Sequence, residues 1–131
     1  MHKREAMKHP CIILVEDDLL VGEIARDILT GDGYTVQLVQ ESREALAAIK
    51  AGMPKLVITD IMMPGITGLD ICKAVKADPA LHNIKLMVMS AKAFGVEKRR
   101  AAALGAAFFL QKPFDEKTLI KTVRSIIGDP A

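Results

Sequence analysis

The strongest constraint on the fold is a run of five apolar residues, Cys11-Ile12-Ile13-Leu14-Val15, that stops abruptly at Glu16-Asp17-Asp18. A strand that is apolar at every position is expected to be buried on both faces, which is typical of a parallel sheet covered by helices. Further strands are predicted at Tyr34–Val39, Leu56–Thr59, Leu86–Met89 and Ala107–Leu110.

Helical stripes of apolar residues lie between these strands. The first runs from Leu19 to Thr30 and ends at Gly31-Asp32-Gly33, where glycine suits a left-handed backbone. Ser42 is expected to cap the second helix, which Gly52 closes, and Asp115 is expected to cap the last one. Two more helices are predicted, one after Gly68 and one over Val96–Leu104. Strands that alternate with helices predict an α/β domain with a parallel sheet covered on both faces.

Composition and charge narrow the class of protein. The 131-residue chain is 50% hydrophobic, which excludes disorder over its whole length because so much apolar surface offsets the chain entropy. Its 18 Lys and Arg are nearly balanced by 16 Asp and Glu, a net charge of +2 that disfavours direct nucleic-acid binding. No apolar run approaches the roughly 20 residues that span a bilayer. We therefore expect a cytoplasmic protein without membrane insertion.

The expected organisation is one domain with short ends. Residues 1–10 are interpreted as a polar leader or a cloning remnant, 11–128 as the domain and 129–131 as a C-terminal tail. Cys11 and Cys72 lack the C-x-x-C spacing of a redox or metal motif, so they are expected to be buried free thiols. The histidines are expected to be solvated: His2, His9 and His82.

Residues with reactive side chains follow four of the predicted strands. Glu16 and Asp17 follow the first strand, Asp60 the third, Ser90 the fourth and Lys112 the fifth. Because ligands bind beyond the carboxyl ends of the strands in open α/β sheets, these side chains are expected to converge at one edge. Acids at strand ends often serve only as turn formers or caps, but all these groups at successive strand ends favour a shared site.

The chemistry of this cluster points to phosphoryl transfer. Three adjacent carboxylates repel one another, so the cluster is expected either to raise the pKa of at least one of them or to bind a cation, and hard oxygen ligands favour Mg²⁺ over a soft metal. Lys112 offers a counter-charge and Ser90 a hydrogen bond to an incoming phosphoryl group, while Asp60 is a plausible covalent acceptor. Asp18 is expected instead to cap the first helix.

Four motifs together carry a resemblance to a known family: Ile13–Asp18, Val57–Gly65, Met89–Ala91 and Leu110–Phe114. The chain from Cys11 to about Ile127 resembles the CheY-like receiver domains of two-component response regulators. This resemblance implies a doubly wound, flavodoxin-like parallel sheet of five strands in the order 2-1-3-4-5, with five helices.

The resemblance also implies roles for the acidic residues. Asp60 matches the phospho-acceptor, which takes its phosphoryl group from a sensor histidine kinase or a histidine phosphotransfer protein. Glu16 and Asp17 match the acidic pair that binds Mg²⁺, together with Asp60 and the backbone carbonyl of Met62. Glu16 stands where many relatives have Asp, so its longer side chain is expected to reach the metal through water.

Further roles follow from the same resemblance. Ser90 matches the switch hydroxyl that turns toward the phosphoryl group, and Phe109 matches the aromatic switch residue. Lys112 matches the lysine that contacts the phosphoryl group, and its bond to Pro113 is expected to be cis. Two positions are expected to tune the lifetime of the phosphoryl group: Met62 and Lys92.

The expected function is a phosphorylation-switched signalling module that catalyses only its own phosphorylation and dephosphorylation. Its downstream protein target is expected to bind the face formed by the fourth helix, the fifth strand and the fifth helix, and activation could produce a homodimer. Lys98-Arg99-Arg100 in the fourth helix is either a solvated face or part of that surface. The chain is expected to be a stand-alone regulator or the receiver of a larger protein or hybrid kinase.

Two alternatives are disfavoured. A Mg²⁺-dependent phosphohydrolase of the haloacid-dehalogenase type would also use Asp60 as a nucleophile, but Met62 stands where that family has a second Asp. Such an enzyme also needs a cap over its substrate, for which 131 residues leave no room. A pseudo-receiver that works without phosphorylation is disfavoured because every expected site residue is present.

Overall fold

The structure, a computed structural model, describes residues 9–91 and 95–130. In this part of the chain, strands and helices alternate. The strands are β1 (Ile12–Val15), β2 (Val36–Val39), β3 (Leu56–Asp60), β4 (Lys85–Ser90) and β5 (Phe108–Gln111). The α-helices are α1 (Leu19–Gly31), α2 (Ala45–Gly52), α3 (Gly68–Ala77), α4 (Gly95–Ala103) and α5 (Glu116–Ile127), and a 3₁₀ turn (Ser42–Glu44) precedes α2.

The five strands form one parallel sheet in the order β2-β1-β3-β4-β5, which confirms the expected topology. The direction in which strands are added reverses between β1 and β3, because β2 lies on one side of β1 and β3 to β5 lie on the other. Val15 at the end of β1 pairs with Thr59 in β3. The residues that follow, Glu16 and Asp60, therefore lie side by side at this switch point, where ligands bind in doubly wound sheets.

Helices cover both faces of the sheet, which explains why its central strands are apolar throughout. On one face, Leu14 and Ile58 pack against α1 and α5 through Leu29 and Val123. On the other face, Ile13, Val57 and Val88 pack against helices α2, α3 and α4. Neighbouring residues of a strand point to opposite faces of the sheet. When both faces are buried, all residues along the strand must therefore be apolar.

Two predicted N-terminal helix caps are confirmed, and the structure shows a third cap that was not predicted. Asp18 caps α1 by accepting a hydrogen bond from the Val21 amide, and Asp115 caps α5 in the same way, as predicted. Thr67 and Asp70 form a reciprocal capping box at α3, which the sequence analysis missed although the T-x-x-D spacing signals it.

Of the two predicted boundaries of α2, the N-terminal cap is wrong and the C-terminal end is confirmed. Ser42 does not cap the helix, because its hydroxyl donates to the Pro64 carbonyl at 2.9 Å and accepts from the Ile66 amide at 3.2 Å. It thereby ties the β3–α3 loop to the turn after β2. Gly52 is the last residue of α2, as predicted, and the left-handed residue that follows it is Met53, with a φ of 47°.

The cysteines and histidines carry no functional cluster in the described residues. Cys72 is buried and its pKa is raised to about 11 by burial, while Cys11 is only half-buried; both are free thiols. His9 and His82 lie at the surface, as expected, and His2 lies outside the described residues. No described helix combines the length and the apolar character required to cross a membrane.

Gly68 allows α3 to begin directly against the end of β3. Its amide donates to the Ile61 carbonyl at 2.9 Å. A Cβ at this position would overlap the carbonyl oxygen of Asp60 and would lie 2.9 Å from the carbonyl carbon. The close approach of these two backbones therefore requires glycine and fixes the backbone that carries Asp60.

We predict that Gly68→Ala destabilises the protein by about 1–3 kcal/mol, because the added methyl group meets backbone that has nowhere to move. Gly31→Ala is the matched control, since the space around that helical residue is open. Alanine there is expected to stabilise by about 0.4–1 kcal/mol. Urea denaturation measures both values, and equal stability of the two variants would contradict the backbone contact at Gly68.

Candidate functional site

The ends of four strands bring the predicted site residues together. Asp60 and Ser90 are the last residues of β3 and β4, and Glu16 and Lys112 directly follow β1 and β5. The ladder of backbone hydrogen bonds continues past the strand ends, because the Lys112 amide donates to the Ser90 carbonyl at 2.8 Å and the Ile61 amide donates to the Met89 carbonyl at 3.0 Å. The backbone of the site is thus part of the sheet.

Lys112 links the two buried carboxylates of the site. Its Nζ lies 2.5 Å from Oε1 of Glu16 and 3.2 Å from Oδ2 of Asp60. The side chain of Glu16 is 1% exposed, that of Asp60 13% and that of Lys112 17%. Because these charges are largely withdrawn from water, their attraction is stronger than that of a surface ion pair.

Burial sets the protonation of the acids in this cluster. It raises the pKa of Glu16 and of Asp60, and the hydrogen bonds and charge of Lys112 offset part of each rise. For Lys112, burial by itself favours the neutral amine, but the hydrogen bond to Glu16 and the negative charge of Asp60 raise its pKa. The cluster therefore holds an ammonium against two carboxylates whose negative charge costs free energy.

The acidic side chains also form a set that fits a metal ion. Carboxylate oxygens of Glu16, Asp17 and Asp60 all lie within 4.8 Å of one another, and Asp17 is exposed. Two of these acids already interact with Lys112, so the set retains excess negative charge. An all-oxygen donor set that is open to water on one side fits a hard, hydrated cation such as Mg²⁺.

Ser90 and Phe109 lie on the same face of the sheet. Val88 pairs with Phe109 across β4 and β5, and Ser90 lies two residues after Val88, so its side chain points to the same face. Ser90 is buried, whereas Phe109 is half-buried and packs at the edge of the core. The Nζ of Lys98 lies 5.6 Å from the centre of the Phe109 ring, a cation–π contact that the sequence analysis did not anticipate.

The remaining predicted features of the site have different outcomes. The Lys112–Pro113 peptide bond is cis, as expected. Met62 is 69% exposed. Because residue 62 is Met, no acid stands at the position where a phosphohydrolase of the haloacid-dehalogenase type has one. Lys92 lies outside the described residues. The amide of Asp18 donates to Oε2 of Glu16 at 3.2 Å, a role beyond helix capping that the sequence analysis missed.

Comparison with known proteins agrees with this geometry. Residues 12–124 match the family described as the response regulator receiver domain. The chain is 31% identical over 114 residues to the DNA-binding response regulator MtrA of Mycolicibacterium paratuberculosis, covering 87% of this chain and 49% of that protein. It is 29% identical over 118 residues to the polar-differentiation response regulator DivK of Brucella anthropi, covering 90% and 96%. The chain thus spans about half of MtrA and nearly all of DivK.

Solved structures give the same result. The chemotaxis protein CheY4 of Vibrio cholerae superposes with a TM-score of 0.86 at 27% identity, over 91% of this chain and 99% of CheY4. The receiver domain of a signal transduction histidine kinase from Syntrophus aciditrophicus superposes with a TM-score of 0.81 at 28% identity, over 88% of each chain. Because the family match covers almost all of the described fold and the topology is the same, the chain belongs to the response regulator receiver domain family.

Proposed function

We propose that this chain is the phospho-accepting receiver of a two-component phosphorelay, with Asp60 as the acceptor. The observation that carries the proposal is the position of Lys112, whose ammonium touches both Glu16 and Asp60 at the carboxyl edge of the sheet. This arrangement places a fixed positive charge beside a partly accessible carboxylate, in a domain of the receiver family. Phosphoryl transfer depends mainly on such positioning and charge neutralisation.

The proposed reaction uses Asp60 as a nucleophile. One carboxylate oxygen attacks the phosphorus of a phosphohistidine on a sensor kinase or phosphotransfer protein, an O–P bond forms and the P–N bond breaks. The imidazole nitrogen takes up a proton as it leaves. Lys112 is positioned to neutralise the added negative charge, and Ser90 donates a hydrogen bond to a phosphoryl oxygen.

The acidic cluster is the proposed Mg²⁺ site. Asp17, Asp60 and Glu16 would supply its carboxylates, and the backbone carbonyl of Met62 would be the fourth protein group, as the family resemblance implies. Bound Mg²⁺ supplies positive charge that offsets the repulsion between these acids and the incoming phosphoryl group.

The surroundings of the site support a protein as the phosphoryl donor. Leu19, Leu20 and Ile24 on α1 are about half exposed or more, and Met62 is exposed on the neighbouring loop. A mostly apolar hollow of about 300 Å³ lies beside Lys112, between α1 and the β5–α5 loop. Exposed apolar groups around a charged site favour a protein surface as the natural donor.

The proposed output is a change of surface rather than turnover of a substrate. When Ser90 moves toward the phosphoryl group, it leaves space on the sheet face that it shares with Phe109. Movement of that ring changes the surface of α4, β5 and α5, where Lys98, Arg99 and Arg100 are exposed. A downstream protein reads this surface, and the domain catalyses only its own phosphorylation and dephosphorylation.

We predict that incubation with Mg²⁺ and acetyl phosphate adds one phosphoryl group to the protein, in an acid-stable and base-labile bond. Asp60→Asn is expected to abolish the adduct while the fold is retained, because the amide is a poor nucleophile. Intact mass spectrometry measures the adduct and circular dichroism checks the fold. An adduct that survives Asp60→Asn contradicts the assignment of Asp60 as the acceptor. Rapid release of phosphate from a metabolite over many turnovers would indicate an enzyme instead of a receiver.

We predict that Mg²⁺ stabilises the folded protein, since the folded state alone brings the carboxylates together. At a Mg²⁺ concentration 100 times the Kd, the free energy of unfolding is expected to rise by about 2.7 kcal/mol. Asp17→Asn is expected to raise the Kd by about tenfold or more through loss of one carboxylate charge.

Thermal unfolding at increasing Mg²⁺ concentrations measures both effects. Asp27→Asn is the matched control, because it removes the same charge from an exposed position on α1 that is outside the cluster. If the two variants lose Mg²⁺ affinity equally, the binding is not at this site.

We predict that Ser90→Ala separates phosphorylation from the surface change. The variant is expected to form the adduct at Asp60, because the nucleophile and Lys112 remain, but to show much smaller NMR shifts in α4 and β5 on phosphorylation. Amide spectra with and without acetyl phosphate measure this difference. Shifts as large as those of the unmodified sequence would exclude Ser90 as the link to Phe109.

A further inference from the structure

We propose that Ser42 is a positioning residue for the Mg²⁺ site, because its hydroxyl holds the loop between β3 and α3 that carries the backbone carbonyl of Met62. This inference rests on the proposed function, in which that carbonyl is one of the protein groups around the ion. Ser42 lies in the 3₁₀ turn after β2, away from the strand ends that supply the reactive side chains. The proposal therefore brings a residue of a separate element into the function of the site.

The hydroxyl of Ser42 bridges the β3–α3 loop at Gly65. Its Oγ donates to the Pro64 carbonyl at 2.9 Å and accepts from the Ile66 amide at 3.2 Å, so it joins the residues on either side of Gly65. Gly65 has a φ of 82°, a left-handed conformation that glycine adopts readily. A hydroxyl donates and accepts at the same time, whereas a methyl group in its place can do neither. The bridge therefore depends on the hydroxyl of residue 42.

Ser42 is held in place by the core, which gives the loop a fixed point of attachment. The residue is 5% exposed, and its carbonyl accepts a hydrogen bond from the amide of Ala45 at the start of α2. Ala45 and Ile49 of that helix are fully buried, in the same part of the core as Met63 of the loop. The packing of α2 on the sheet thus sets the position of the hydroxyl.

Met62 lies between two attached parts of the loop. Before it, Ile61 is buried and its amide continues the hydrogen bonds of the sheet. After it, the side chain of Met63 is buried, and Ser42 holds the carbonyl of Pro64. The side chain of Met62 is 69% exposed, so its own packing does little to fix its backbone. The place of the Met62 carbonyl therefore depends on its neighbours, and Ser42 holds the loop on the α3 side.

The backbone of Asp60 is held by different contacts. Gly68 packs against its carbonyl, and the amide of Ile61 is bonded to β4. Loss of the Ser42 hydroxyl is therefore expected to weaken the binding of the ion and to leave the reaction unchanged once the ion is bound. Such a substitution raises the concentration of Mg²⁺ that is needed and does not lower the limiting rate.

The test compares Ser42→Ala with Val123→Ala, which removes buried methyl groups on the opposite face of the sheet from α2. We expect Ser42→Ala to raise the Mg²⁺ Kd, measured from amide NMR shifts without phosphodonor, by about threefold to tenfold, as for loss of one hydrogen bond. The rate of phosphorylation by acetyl phosphate at saturating Mg²⁺ is expected to stay within about twofold of that of the unmodified sequence.

Val123→Ala is the control for loss of stability. It is expected to lower the midpoint of thermal unfolding and to leave the Mg²⁺ Kd unchanged, because it does not touch the loop. A Kd that is unchanged in Ser42→Ala, or that rises equally in both variants, would overturn the proposal. Circular dichroism establishes that each variant is folded.

A double-mutant cycle shows whether Ser42 acts through the loop. Gly65→Ala is expected to raise the Mg²⁺ Kd as well, because a left-handed φ disfavours a side chain and the loop must shift. With the bridged residues already displaced, adding Ser42→Ala is expected to raise the Kd by less than about twofold more. A double variant whose Kd shows the full product of the two single effects would overturn the proposal.

A further measurement needs neither Mg²⁺ nor phosphorylation. Hydrogen exchange of the Ile66 amide, which donates to Ser42, is expected to become about tenfold faster or more in Ser42→Ala as the loop opens locally. An unchanged exchange rate would overturn the proposal. If the unmodified sequence forms no adduct at Asp60, the proposed function fails, but the exchange rate and the Mg²⁺ affinities still decide the role of Ser42.

Discussion

Burial of the sheet on both faces determines where its strands carry charged residues. Helices cover β1, β3 and β4 from either side, so no polar side chain is tolerated along most of their length. Charged groups are confined to the ends of the strands, and the reversal of strand order between β1 and β3 creates a crevice at the carboxyl edge. The site is therefore a consequence of how the core is built.

Attraction between Lys112 and the carboxylates holds the cluster at this edge together, although the carboxylates repel one another. Glu16 and Asp60 are buried enough that their ionised forms are disfavoured, and Lys112 is the described cation that offsets them. Asp17 adds negative charge at the surface. Such a site favours additional positive charge, and under the proposed function a phosphoryl group on Asp60 rearranges the same contacts.

Close contacts hold the backbone around the cluster. Gly68 packs against the carbonyl of Asp60, and Ser42 ties the following loop to the turn after β2. In contrast, Phe109 is only half-buried and lies under the exposed Lys98 side chain. A closely held Asp60 backbone beside a half-buried aromatic ring is consistent with the proposed conversion of a local charge into a change of surface.

The strands, their burial on both faces and the candidate site residues are predictable from the sequence, because the period of apolar residues and the residues at strand ends are local signals. Which groups touch depends on the tertiary structure. Ser42 is suited to a helix cap, yet its hydroxyl contacts the β3–α3 loop 22 residues away. Likewise, nothing local separates Glu16 from Asp17, but Glu16 points to Lys112, 96 positions further along the chain, and Asp17 to solvent. Side-chain direction at a strand end depends on what packs against it, and that packing is set by distant residues.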